Sequence, residues 1–293
     1  MRTVARPLRR EWTIRTWAVL ALLLGLSLWT GRSALIDIWQ IGTGRAEQSY
    51  ILLAPFVALW LFWLRRSRLR SLQIEFNLLG PALIALGWFS NFIGIERDIQ
   101  IATHAGLLLT LLGCVVSLTG AGFVKQFAPA LAAMLFVIPI PGTIRQLVGM
   151  PLQTLATSVT EIMLELIGVM VTRDGQVLII NGESVAVGEA CSGLRMVFAF
   201  GVVVYAFAFS LPLRASTRIV LLALSPAVAI LCNVVRLVPT SLFFGFGSIN
   251  QAQVFHDLAG WVMIPIALVV LVGILRLIRW LELPVMAFRL AMR

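Results

Sequence analysis

Charge is what this sequence has least of. Only 12% of its 293 residues are Asp, Glu, Lys or Arg, against 60% apolar, whereas a water-soluble domain carries about 25% charged residues. A water-soluble globule is therefore excluded. With a mean hydropathy of +0.97, the chain reads as an all-α polytopic membrane protein. The net charge of +10 does not point to nucleic acid, because the arginines sit between apolar runs rather than on one basic face. Cysteine and histidine are also scarce. Three Cys and two His offer neither a disulfide framework nor paired metal-ligand spacing, so no metal or other cofactor is expected. Cys114 and Cys232 sit inside apolar runs, where a small buried thiol is ordinary. No Walker A loop, HExxH, CxxC or GxSxG occurs, since Gly182-Glu183-Ser184 is followed by Val185-Ala186. P-loop chemistry, zinc proteolysis and an α/β-hydrolase elbow are set aside. Repeats, long linkers and low-complexity tracts are missing too. One integral membrane domain over residues 1–293 is expected, with four spans in 1–120 and the chemistry-bearing half in 121–293.

What is present is a series of apolar runs. Spans are expected at Thr13–Thr30, Tyr50–Leu64, Leu78–Ile95, Ile101–Leu118, Gly122–Ile138, Ser192–Leu211, Ile219–Pro239 and Leu258–Leu275. The first follows a basic flank without a small-x-small cleavage site and reads as an uncleaved span. Thr143–Val171 is different. It carries Arg145, Gln146, Gln153, Glu161 and Glu165, so it reads as an amphipathic helix lying in the interface. The positive-inside rule favours the resulting eight-span arrangement with both termini cytoplasmic. Sixteen of the 23 basic residues then fall inside, among them Arg65, Arg66, Arg68, Arg70, Arg214, Arg218, Arg276 and Arg279. Short β-branched runs flank Asn181-Gly182, the preferred two-residue hairpin turn, which predicts a small outer β-hairpin.

That arrangement brings three span ends to the outer face, and they carry Cys191, Arg236 and His256. Cys191 opens the sixth span, between Gly188-Glu189-Ala190 and Ser192-Gly193. A thiol at a helix N-terminus ionises more readily and becomes nucleophilic. Small Ser192 and Gly193 leave room for a carbonyl, and exposed N–H groups there suit an oxyanion. The plain alternative is a small helix-start residue. Asn233 and Arg236 lie three residues apart on one helical face. An ionisable side chain in a span is costly and is a functional candidate, although snorkelling to the headgroups would also place an arginine there. His256 gains a role from standing near a cysteine, since thiol and imidazole form the recurring pair of cysteine acyl transfer. Arg195, four residues after Cys191, is expected on the same helical face and rivals Arg236 as the charge stabiliser. Arg145, after the Pro139–Gly142 turn, is a weaker substrate-contact candidate. His104 reads as structural, and Glu161 with Glu165 reads as a solvated stripe.

These elements resemble the exosortases of the exosortase/archaeosortase family. The resemblance rests on Ala190-Cys191-Ser192-Gly193, Asn233-Val234-Val235-Arg236, His256 with Gly260, Leu194-Arg195 and Pro139-Ile140-Pro141. It covers about the last 150 residues. The family's SH-G element before the second span is replaced by Gln48-Ser49-Tyr50. The resemblance implies a membrane-embedded cysteine protease and transpeptidase without a cofactor. Its partners would be exported proteins carrying a short motif such as Pro-Glu-Pro, an apolar helix and a basic tail, and an acceptor molecule that the sequence does not name. By position, Cys191 would attack the scissile carbonyl, Arg236 would stabilise the oxyanion or thiolate, and His256 would serve as acid and base. The expected location is the bacterial inner membrane, with membrane lipid around the spans. Two other classes remain open: a carrier or flippase for a lipid-linked anionic substrate, and a non-catalytic assembly factor.

Overall fold

An apolar run in a membrane must satisfy its backbone N–H and C=O groups within itself, which makes helix its default. The computed structural model describes residues 14–71, 78–186 and 193–280, and in them that expectation holds: the chain is mostly helical, with one small sheet. It divides into two compact units. One comprises the chain up to Gly44 with Ile51–Pro141, and the other Arg45–Tyr50 with the chain from Gly142 onward.

The first unit holds α1 (Ile14–Thr30), α2 (Arg32–Gly44), α3 (Ala54–Leu64), α4 (Leu79–Glu96), α5 (Gln100–Thr119) and α6 (Ala121–Met134). Its tightest contact joins α4 to α5 through glycines. A Cβ on Gly87 would stand 2.7 Å from the Gly106 carbonyl oxygen, and one on Gly106 would stand 2.6 Å from that of Gly87. Lipid tails are as apolar as leucine, so such close backbone approach is how membrane helices gain packing energy. Between α1 and α2 the chain bends by 67°. There His104 of α5, buried, bonds through Nε2 to Asp37 Oδ2 of α2 at 2.8 Å. Where α3 ends, the Arg66 guanidinium lies 4.2 Å over the Trp63 ring, an arrangement suited to the membrane–water boundary.

The second unit begins with α7 (Gly142–Leu166), followed by a three-stranded antiparallel sheet, then α8 (Leu194–Ser210), α9 (Ala215–Phe246) and α10 (Ile249–Trp280). The expected hairpin is there as β2 (Val177–Ile180) and β3 (Glu183–Ala186). Its turn has positive φ at both Asn181 and Gly182, as a type I′ turn requires. A further strand, β1 (Val171–Asp174), pairs with β2 through a second two-residue turn led by Gly175 at φ 60°. Asp174-Gly175 was a legible turn signal for it. Leu178, Ile180 and Val185 bury the sheet's inner face against Leu164 of α7 and Leu237 of α9. Arg173 closes the other flank. It bonds to Ser158 and to the Gly175 carbonyl (2.7 Å), and stands 3.6 Å from Glu161. Helices α8–α10 share a core that includes Phe200, Val228, Cys232, Ala267 and Leu271. Cys114 and Cys232 are buried free thiols.

By length and composition the helices do not confirm the count of eight spans. Among the described residues α4, α5, α7, α9 and α10 are long and apolar enough to cross, and the bent pair α1–α2 makes a sixth if it is one span. Gln48–Leu64, Ala121–Val137 and Leu194–Ser210 are apolar helices but shorter. At 1.5 Å per residue, the seventeen residues of α8 cover roughly 26 Å, less than the ~30 Å hydrocarbon core. α7, expected to lie in the interface, has the length and apolarity of a span. Its polar residues are too spaced to lower its apolarity below that of a crossing helix.

Candidate active site

The site is built on α9. Its buried residues recur at helical spacing, through Val228, Ala229, Cys232, Asn233, Arg236, Leu237 and Thr240, and among them stands a cation. Arg236 is only 3% exposed and Asn233 1%. Burying a guanidinium is costly, and Arg236 Nη2 donates to Asn233 Oδ1 at 2.9 Å. Spacing of three residues places both on one helical face. The Arg236 carbonyl also accepts from Thr240 Oγ1 at 2.7 Å. Three residues on, Pro239 lacks the N–H that would bond the Val235 carbonyl.

Two other helices complete the surroundings of Arg236. Arg195, Met196, Ala199 and Phe200 of α8, with Gly260 and Ile264 of α10, line a cavity of about 30 Å³ that Arg236 faces. Gly260 lies next to the guanidinium, since a Cβ there would stand in ordinary contact with Arg236 Nη1, at 3.7 Å. Arg195 is half-buried. Two guanidinium groups at one small cavity make a positive potential, and an anion placed there is stabilised more than in water.

The start of α8 is tied to the same place. Gly193 caps the helix in the left-handed region, with φ 83° and ψ −12°, a conformation that favours glycine. A Cβ on it would stand 3.1 Å from Asn233 Nδ2. Its carbonyl accepts the Val197 N–H at 2.8 Å. Within the described residues, α8 begins at Leu194 with Gly193 as its cap. The expectation that Cys191 shares a helical face with Arg195 falls on a residue outside the described part of the chain, and Ser192 lies outside it too. His256 belongs to α10, one turn before Gly260.

Arg145 is half-buried on α7 and close enough to Tyr50 for its charge to act on the phenol. Tyr50 is 4% exposed, and its ring stacks on Phe198 of α8 with centroids 5.2 Å apart. Gln48 is buried as well. Nothing in the local pattern of Gln48-Ser49-Tyr50 pointed to this association with a helix 150 residues later. Glu161 and Glu165 do not form an acid pair, since Glu161 faces Arg173 and Glu165 is exposed. Among the described residues no cluster of His, Cys, Asp or Glu has the geometry to hold a metal.

The transmembrane exosortase family model matches residues 39–273. That stretch takes in α3 through α9, the sheet and most of α10. No curated protein and no solved structure matches the chain. Enzymes of this family are membrane-embedded processing enzymes acting on exported proteins with C-terminal sorting signals.

Proposed function

Because the chain belongs to the transmembrane exosortase family, we propose that it is a cysteine peptidase and transpeptidase that cuts a C-terminal sorting signal and passes the new C-terminus to an acceptor. One observation carries the residue assignment: buried Arg236 shares its cavity with Arg195 and is held by Asn233, which itself lies against the glycine turn at the start of α8. Two peptide links, each spanning about 3.8 Å between Cα atoms, join that turn to Cys191. The Cα atom of Cys191 is therefore tethered within about 7.6 Å of that of Gly193.

In this reading the Cys191 thiolate attacks the scissile carbonyl, a C–S bond forms, and the electron pair moves to oxygen. Arg236, with Arg195 beside it, stabilises that oxyanion. Collapse breaks the C–N bond as His256 protonates the leaving amine, which departs with the apolar helix and basic tail. The thioester is then attacked by an amine or hydroxyl acceptor whose proton His256 removes, and the thiolate is released. Water in the acceptor's place gives hydrolysis. Ser192, Gly193 and the first N–H groups of α8 border the scissile segment, and Arg145 contacts the substrate further out.

The finer placement belongs to the same proposal. The eight apolar stretches cross the bacterial inner membrane, α7 lies along its outer surface, and the sheet and site face outward, where an exported protein held by its C-terminal helix presents its motif. A cavity of about 30 Å³ fits an oxyanion or a water-sized group, not a lipid-linked sugar, which favours a reaction over a carrier.

The test uses membranes containing the native chain and a tagged exported protein ending in motif, helix and basic tail. Tail removal is followed for the native chain and for Cys191→Ala and Cys191→Ser at matched expression. Loss in both variants, with a thiol-sensitive covalent intermediate in the native chain, is expected. Unchanged processing in well-expressed variants would overturn the reading.

A further inference from the structure

A peptide bond inside a helix cannot be cut in place, because its carbonyl is bonded to the N–H four residues on. The scissile segment must be extended, and next to a membrane an extended segment has backbone groups that need partners. An open sheet edge supplies such partners. The sheet of the second unit has two edge strands, since its order is β1-β2-β3. The β1 flank is engaged with α7, where Arg173 is held by Ser158 and faces Glu161.

The β3 edge differs. Among the described residues, Glu183–Ala186 make no hydrogen bond or ion pair outside their ladder with β2. Glu183, Ser184 and Ala186 are exposed, while Val185 is buried and anchors the strand. Its anchor is the same stretch of α9 that carries the arginine, since Val185 packs in one cluster with Leu237, the residue after Arg236. The strand also leads toward the nucleophile, for five peptide links join Ala186 to Cys191 and span at most about 18 Å.

We infer that the β3 edge binds the extended segment of the exported protein beside its scissile bond, by adding it as a fourth strand. This rests on the peptidase reading above and names the subsite that reading lacks. Strand addition uses main-chain bonds, so it accepts varied side chains and holds the segment straight, with its carbonyls turned alternately toward and away from β3. Four paired residues cover about 13 Å. The carbonyl presented to Cys191 then lies within a few residues of the paired stretch.

The test uses the full chain in lipid nanodiscs, and as probe a synthetic peptide holding the cut segment, an apolar helix of about 20 residues and a basic tail. A photoreactive benzophenone side chain is placed at Ser184, or at exposed Thr172 of β1 as control, in a Cys191→Ala background so that binding is read without turnover. The peptide is N-methylated at one backbone nitrogen at a time. Cross-linking from Ser184 but not Thr172 is expected, weakened about five- to tenfold at every second methylated position, the loss of one hydrogen bond each. Equal cross-linking from both positions, none from Ser184, or methylation effects without alternation would overturn strand addition. The native chain's cleavage of the unmodified peptide is read in parallel. Cleavage without alternation removes strand addition and leaves the peptidase. Alternation without cleavage removes the peptidase and leaves the edge as a binding site.

Discussion

Arg236 and Arg195 carry the same charge at one cavity, and their surroundings separate them. Arg236 is fixed by Asn233 and almost wholly out of solvent, so it faces the cavity already oriented. Arg195 is half-exposed, so water screens its field. Pre-set donors in a dry site are worth about 10²–10³ in rate. Arg236→Gln is accordingly expected to lower kcat/KM for tail removal by about that factor. Arg236→Lys should lose nearly as much, because an ammonium cannot bond Asn233 and reach the cavity through one planar fork. Arg195→Gln should cost no more than about fivefold, the size of one screened charge interaction. Cleavage kinetics of the three variants at matched thermal stability check this. A larger loss for Arg195→Gln than for Arg236→Gln would exchange their roles.

At the scale of elements, glycines decide what approaches what, and two of them make opposite predictions. Gly106 sits where α4 and α5 touch backbone to backbone. Gly106→Leu should therefore separate those helices, lowering thermal stability in detergent by roughly 1–3 kcal/mol, the usual cost of overpacking. Gly193 is different, because its cost is local. Alanine there meets both the left-handed φ of 83° and the Asn233 amide at 3.1 Å, and the first of these costs about 1 kcal/mol. Gly193→Ala should leave the melting temperature within a few degrees and lower tail removal at least tenfold, by shifting the α8 start against Asn233. Circular dichroism melts beside cleavage assays separate the two. If Gly193→Ala cleaved normally, the glycine turn would not be what places the nucleophile.

For the whole molecule, the open quantity is the side on which the sheet lies, and α7 controls it. If α7 lies along the outer surface, the turn at Gln176 and the arginines after α3 face opposite sides. If it crosses, they face the same side. Membrane-impermeant thiol labelling of Gln176→Cys and Arg68→Cys, each in a background with Cys191 replaced, reads this directly. Labelling of Gln176→Cys in intact cells and of Arg68→Cys only after permeabilisation is expected from the distribution of arginines. Labelling of both only after permeabilisation would place the site inside and overturn the outer-face reading.

Much of this was determined by the sequence alone, and the physical reason is locality. Scarce charge made the chain a membrane protein, and a membrane made its apolar runs helices, because each run must satisfy its own backbone. Asn181-Gly182 set a type I′ turn through two residues, and the spacing of Asn233 and Arg236 set their shared face through one helical turn. Length was less legible: several apolar runs became helices too short to count as spans, and α7 became long enough to be one. The tertiary structure alone decided the rest. It set the left-handed turn of Gly193 against an amide forty residues later, Gly260 beside Arg236, Tyr50 on Phe198, and the glycine contact of α4 with α5. Each joins residues far apart in the chain, and a local pattern of apolar and polar positions holds no information about which distant surface will press against it.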